Sequence, residues 1–203
     1  MKAKKILTVT SALIMAVTAA TPAYAAELTD TSPSGETEVT AQIMGDAGAV
    51  TYVISIPDVV DFGVLTQPAD DTADDFKTVD YTVTATKIEG LDAATQKVSV
   101  YVKDENATVD GDQNFFIANK ADSSKKFSYD IFDTKTITAT TEPVNNNTMT
   151  KSVGFYLHGF TTEGEAVEGS LRINQIQLCG YALSDIVGDY SGHIVFFSTV
   201  ETV

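Results

Sequence analysis

Two histidines, one cysteine and one acidic loop hold most of the chemistry this sequence offers. His158 and His193 could act as bases or metal ligands, because imidazole is the side chain that titrates nearest neutral pH. Each, however, is embedded in a run of alternating apolar and polar residues, His158 on the polar side of its run and His193 beside a glycine. A hydrolytic site needs a nucleophile with its base, a carboxylate pair in a pocket, or a metal. The sequence contains no HExxH, GxSxG, CxxC or phosphate-loop pattern, and zinc would require several His or Cys at ligand spacing. Both histidines therefore read as surface or interstrand residues. No catalytic residue and no cofactor is expected.

Calcium is the one metal with candidates. Asp104-Glu105-Asn106 and Asp110-Gly111-Asp112-Gln113-Asn114 gather carboxylates and amides in one loop, and calcium takes six to eight such oxygens. Asp104, Asp110 and Asp112 are the weak candidates. In a helix-loop-helix calcium site the closing bidentate position requires Glu. Counted from Asp104 that position is Phe115, and counted from Asp110 it is Ala121, which favours a solvated acidic turn. Cys179 stands alone, so it cannot form a disulfide within the chain and is expected to be a buried thiol packing as a small hydrophobe. For sugar binding the sequence lacks Trp, and most of its eight Tyr and ten Phe fall on apolar faces. Tyr101 and Tyr156 fall on polar faces and are the candidate ligand contacts.

These residues must be held by strands. Almost every apolar stretch alternates with period two, the signature of half-buried antiparallel strands. Val50, Tyr52, Ile54 and Ile56 share one face, as do Val79, Tyr81, Val83 and Ala85. Val98, Val100 and Val102 oppose Lys97, Ser99, Tyr101 and Lys103, while Phe127, Tyr129 and Ile131 alternate with Ser128 and Asp130. Val153, Phe155 and Leu157 alternate with Ser152, Tyr156 and His158. Turn signals such as Glu89-Gly90, Asp110-Gly111 and Glu163-Gly164 separate the runs. No amphipathic helix of ten residues is expected, only a short turn within Tyr181 to Val187. The prediction is an all-β fold of nine or ten strands, a two-sheet antiparallel β-sandwich over residues 37–203. Near its end, Tyr190, Ile194 and Phe196 point one way and His193, Val195 and Phe197 the other. With both faces apolar, this last strand is expected to lie in a sheet interior.

Residues 1–25 read as a secretory signal peptide. Lys2, Lys4 and Lys5 precede an apolar run from Ile6 to Ala20, and Ala23-Tyr24-Ala25 offers small residues at the cleavage positions. The run is too short to span a bilayer, so no membrane insertion is expected after cleavage. Residues 26–36, polar with Pro33 and Gly35, read as a flexible leader. Loss of three lysines and no acidic residue takes the net charge from −15 to −18. Such a surface repels nucleic acid, whose recognition needs a basic footprint. The protein is expected to be secreted or associated with the cell surface.

Three phrases carry a resemblance. Asp61-Phe62-Gly63 follows the first strand, Phe127-Ser128-Tyr129-Asp130-Ile131-Phe132 forms a middle strand, and Gly188-Asp189-Tyr190 precedes the last β run. Together the chain resembles exported bacterial fimbrial or pilin-like sandwiches, spore-coat-U-like proteins and WxL-type surface proteins. It departs from them in lacking the Trp motifs of WxL proteins, the paired Cys of many pilins, and the LPxTG-type signal of sortase-built pilins, ending instead in Glu201-Thr202-Val203. The resemblance implies an Ig-like sandwich with a surface role and leaves the attachment route open.

In such domains a neighbour's strand can complete a sheet. Val39, Ala41 and Ile43 alternate with Thr40 and Gln42, so residues 37–44 could add a strand to the next subunit. They could equally form the first strand of their own domain, since sheet edges are usually protected. The expected function is a non-catalytic structural or adhesive subunit whose partners are copies of itself or other surface proteins. The alternative is a carbohydrate-binding module recognising host or wall glycans.

Overall fold

Among the described residues the alternation of apolar side chains resolves into nine strands. A computed structural model describes residues 50–108, 110–150 and 154–203. The expected signal peptide, the leader and the candidate assembly residues Val39, Ala41 and Ile43 lie outside the described residues, as do Val109 and 151–153. The strands are β1 (Thr51–Ser55), β2 (Phe76–Glu89), β3 (Gln96–Asp104), β4 (Phe115–Asn119), β5 (Lys126–Phe132), β6 (Phe155–Phe160), β7 (Ala166–Asn174), β8 (Tyr190–Ser191) and β9 (Ile194–Thr202). The single α-helical turn, α1 (Leu183–Ile186), falls where the sequence predicts one. Among the described residues no helix is long and apolar enough to cross a membrane.

Two antiparallel sheets of unequal width form. One has six strands in the order β1-β2-β7-β5-β4-β8, and the other has three in the order β6-β3-β9. The predicted all-β fold of two antiparallel sheets is therefore what the chain adopts. The described residues all belong to one compact unit. The pairing of β2 with β7 runs without a break from Phe76↔Asn174 to Thr84↔Ala166.

The predicted inner faces are buried. Tyr52 and Ile54 of β1, Tyr81, Val83 and Ala85 of β2, Val98, Val100 and Val102 of β3, and Phe127, Tyr129 and Ile131 of β5 all enter the core. Aromatic rings tie its centre together. Phe115 of β4 lies 5.7 Å from Tyr129 and 6.0 Å from Phe155 of the opposite sheet, and Phe62 meets the edge of Tyr129 at 5.7 Å. These offset and edge contacts suit the ring quadrupole and add to the burial of large apolar area. Gly169 stands opposite Tyr81 because nothing larger fits: a Cβ there would lie 2.4 Å from both the Tyr81 ring and the Phe132 carbonyl oxygen. That close approach lets the Tyr81 hydroxyl donate to the Phe132 carbonyl at 2.9 Å.

Two expectations are corrected. Ser99 and Tyr101, placed by the alternation on a polar face, are buried. They belong to the only interior strand of the small sheet, where side chains from both neighbours close over them. The last strand, read as interior, lies at the edge of the small sheet among the described residues, and one of its faces is open: Val195 is 38% and Phe197 43% exposed. Tyr190 does not continue this strand. It lies in β8 and pairs with β4 in the large sheet, and the chain crosses between sheets at Gly192, where a Cβ would come 2.0 Å from the Phe116 carbonyl oxygen.

Truncating the central ring tests this packing. Phe115→Ala should cost about 3–5 kcal/mol by removing a fully buried ring and leaving a cavity, whereas Val195→Ala on the open face should change stability by less than about 1 kcal/mol, both read by urea denaturation.

Candidate functional site: an open sheet edge

The residues singled out for chemistry are mostly engaged in holding turns. Asp104 ends β3 and is only 4% exposed. Its Oδ1 accepts from the Asn106 amide at 2.9 Å and its Oδ2 from the Phe116 amide at 3.1 Å, so both oxygens fasten the β3–β4 connection. Asp112 Oδ1 accepts from the Asn114 amide at 3.1 Å, and Oδ2 lies 3.6 Å from Lys126 Nζ. The Asn114 amide, with help from Lys126, holds the Asp112 carboxyl below its ordinary range. Asp110 lies in an exposed turn. The structure does not bring Asp104, Asp110 and Asp112 together as a calcium cradle. Among the described residues no three His, Cys, Asp or Glu are placed to hold a metal.

The histidines each face a carboxylate. His158 Nε2 lies 3.1 Å from Glu165 Oε1, and Glu165 also accepts from the Thr161 and Thr162 amides, fastening the turn by which the chain passes from β6 in the small sheet to β7 in the large one. Burial opposes ionisation of Glu165, but these donors together outweigh it and hold the carboxyl below its ordinary value. His193 Nδ1 lies 2.9 Å from the Glu105 carboxylate at the exposed start of β9. Cys179 differs from expectation. It is half-buried rather than core, with its Sγ 3.6 Å from the carbonyls of Pro68 and Asp70.

The two tyrosines separate. Tyr156 is 41% exposed, while Tyr101 is 5% exposed and its hydroxyl donates to Glu201 Oε1 at 2.8 Å. Burial first, and then the Glu201 carboxylate, push the Tyr101 phenol up to about 12. Alternation alone treats the two alike. What distinguishes them is that β3 has a neighbour on each side and β6 has one.

The feature that stands out is β9. Its register with β3 is unbroken from Gln96↔Thr202 to Asp104↔Ile194. Just beyond each end, the Glu105 amide donates to the His193 carbonyl and the Val203 amide donates to the Thr95 carbonyl. Antiparallel pairing alternates, so Val195, Phe197, Thr199 and Glu201 direct their backbone groups to β3. Ile194, Phe196, Ser198, Val200 and Thr202 then direct theirs outward, and no described residue outside β3 pairs with the β9 backbone through these groups. The same residues turn side chains inward: Ile194, Phe196 and Val200 pack on the core.

Other edges are interrupted. β1 has a register shift between Val53 and Ile54 and is soon followed by Pro57. The β6 pairing shifts opposite Val100 and Tyr101. Bulges, proline and lysine are the usual means of blunting an edge. β9 carries no proline, no lysine and no bulge, and Glu201 is its one charge. Beside it, Ile194 and Phe196 line a small apolar cleft with Pro57, Val60, Tyr81, Val102, Ile131 and Leu171. Here the core is roofed by the irregular Pro57–Val60 segment rather than by a strand. The sequence signal was present in the apolar composition of 194–200, but its meaning depended on the strand order.

Tyr101 gives a pH test of the sheet beside this edge. Its phenol ionises near 10.0 when unperturbed and at about 12 in the folded chain. Below pH 10 both states hold the proton and the contribution is fully present. As pH rises from 10 to 12 the unfolded chain ionises first, so stability falls. Tyr101→Phe should cost about 1–2 kcal/mol at neutral pH through the lost hydrogen bond to Glu201, and should flatten the decline above pH 10 in denaturation curves relative to the parent.

No family model and no curated protein matches the chain. Among solved structures, it is similar to a chain in the structure titled "Chaperone-tip adhesin complex is vital for synergistic activation of CFA/I fimbriae biogenesis", with 14% sequence identity and a TM-score of 0.40. The alignment covers 75% of this chain and 42% of that one, so the protein spans less than half of the chain it matches.

Proposed function

We propose that the protein is an exported, non-catalytic structural or adhesive subunit of the cell surface, and that it joins its partners by strand addition at the β9 edge. The observation that carries this reading is the regular, unblunted β9 edge beside an apolar cleft. An added strand gains affinity from backbone hydrogen bonds and specificity from alternate side chains. Both are on offer here, since the residues with outward backbone groups are those whose side chains line the core. The fimbrial-type phrases around Phe62, Phe127–Phe132 and Gly188–Tyr190 support the same class of protein.

The occupant we assign is residues 37–44 of a neighbouring copy, with Val39, Ala41 and Ile43 facing the cleft. Their side chains are apolar, as are the residues that line the cleft. Net charge of −15 keeps copies apart at long range, so only a partner that fits the edge gains enough at contact.

Ser198→Pro is the direct test. The Ser198 N–H points away from β3, so proline there leaves the β3 ladder intact while removing an outward donor and crowding an incoming strand. The expected result is a folded monomer where the parent chain forms heat-sensitive oligomers on size exclusion and unheated gels, with deletion of residues 26–44 giving the same loss. A parent chain that is monomeric at all concentrations would sink the proposal, as would oligomers indifferent to both changes.

A further inference from the structure

The outer face of the small sheet carries a second surface that assembly does not use. Tyr156 of β6, Tyr101 of β3 and Phe197 of β9 are register partners and so stand in one row across the three strands. The middle ring is covered, and the outer two are the exposed ones. They lie two strand spacings apart, about 10 Å. Tyr156 is held in place: its ring meets the Tyr101 ring edge-on at 5.7 Å and 77°. Its hydroxyl lies across Gly159, where a Cβ would come within 2.7 Å of it. Exposed Val195 extends the apolar strip next to Phe197.

Charge marks this face as well. Lys97 lies on one side of the ring row and Lys103 on the other, opposite Glu201 and Val195 respectively. The Glu201 carboxylate is taken by the Tyr101 hydroxyl. Lys97 Nζ sits 5.0 Å from the Tyr156 ring centroid, and neither lysine has a carboxylate partner among the described residues. In a chain with 28 acidic and 13 basic residues, this face sets two lysines beside two exposed rings, with Glu201, bonded to Tyr101, opposite Lys97.

We propose that this face binds an acidic polysaccharide, with successive sugar rings stacking on Tyr156 and Phe197 and their carboxylates paired with Lys97 and Lys103. Stacking on rings uses the apolar faces of sugars, and the lysines select for negative charge. A protein partner suits the surface less well. Three exposed apolar side chains fall far short of the roughly 800 Å² per partner of a standard protein interface. A second copy stacked face to face would also set these lysines against their own kind.

The test is calorimetric titration of the full secreted chain with a hyaluronan hexasaccharide, a hexagalacturonate and, as a neutral control, chitohexaose. At least one acidic oligosaccharide should bind, with chitohexaose weaker by about tenfold or more. Phe197→Ser and Tyr156→Ser should each weaken binding by about tenfold, and Lys97→Gln with Lys103→Gln should weaken it and remove most of its salt dependence. Unchanged melting curves confirm that these surface variants fold. Failure of both acidic probes to bind at millimolar concentration overturns the proposal, as does equal binding of chitohexaose or binding indifferent to Phe197→Ser. Because these variants alter side chains on the outer face and leave the outward backbone of β9 untouched, their outcome is independent of the assembly experiment.

Discussion

A three-stranded sheet has only one interior strand, and much of this structure follows from that. β3 is the strand whose two sides are both hydrogen-bonded, so its inner residues Val98, Val100 and Val102 and its outer residues Ser99 and Tyr101 are all removed from water. Its last residue, Asp104, spends both carboxylate oxygens on backbone amides across the β3–β4 connection. A buried carboxylate with such partners is structural, because removing it would strand two amide donors. The flanking strands β6 and β9 inherit the opposite condition. Among the described residues each has one unpaired edge, and each exposes an aromatic residue on the outer face.

The inequality of the two sheets explains why the core needs an irregular roof. Six strands on one side present more apolar surface than three can cover, so Pro57, Val60 and Phe62, from a segment without regular structure, pack on the core, Pro57 and Val60 beside Ile194 and Phe196. Phe62 reaches the Tyr129 edge and joins the aromatic series through Phe115 to Phe155. This solution closes the core without satisfying the backbone of β9, because a segment led by proline offers no regular ladder. Covering apolar area and pairing an edge are separate requirements, and only the first is met by these residues.

Much of the fold was legible in the sequence, because the side-chain period of a strand is local. The inner faces of β1, β2, β3 and β5 follow from alternation alone, and so does the near absence of helix. Strand order is not local, and the misreadings of β3 and β9 trace to it. Ile194–Val200 is apolar on both faces, which is equally the signature of an interior strand and of an edge strand with an open, functional face. Tyr101 and Tyr156 occupy equivalent positions in their alternation, yet one is buried and the other exposed because their strands have different numbers of neighbours. The acidic residues looked like a ligand set because spacing is visible in sequence. The amides of Asn106, Phe116 and Asn114 that occupy Asp104 and Asp112 are brought by the turns themselves.

The two proposed roles of β9 would use two surfaces of one strand without conflict. Period two assigns Ile194, Phe196, Ser198 and Val200 inward side chains and outward backbone, and it assigns Val195, Phe197 and Thr199 the reverse. An added strand would engage the first set through main-chain hydrogen bonds, and a sugar chain would engage the second through exposed side chains. The two roles would therefore rest on different residues and different chemical groups. The edge tolerates side-chain change as long as the backbone stays regular and free of proline, while the outer face tolerates backbone pairing as long as Phe197 and its lysine neighbours remain. A strand with polar outer residues could still assemble, and a strand with a bulged edge could still present its rings. An unblunted backbone and an apolar outer face together, despite the aggregation risk that exposed edges carry, are what a strand used on both counts would require.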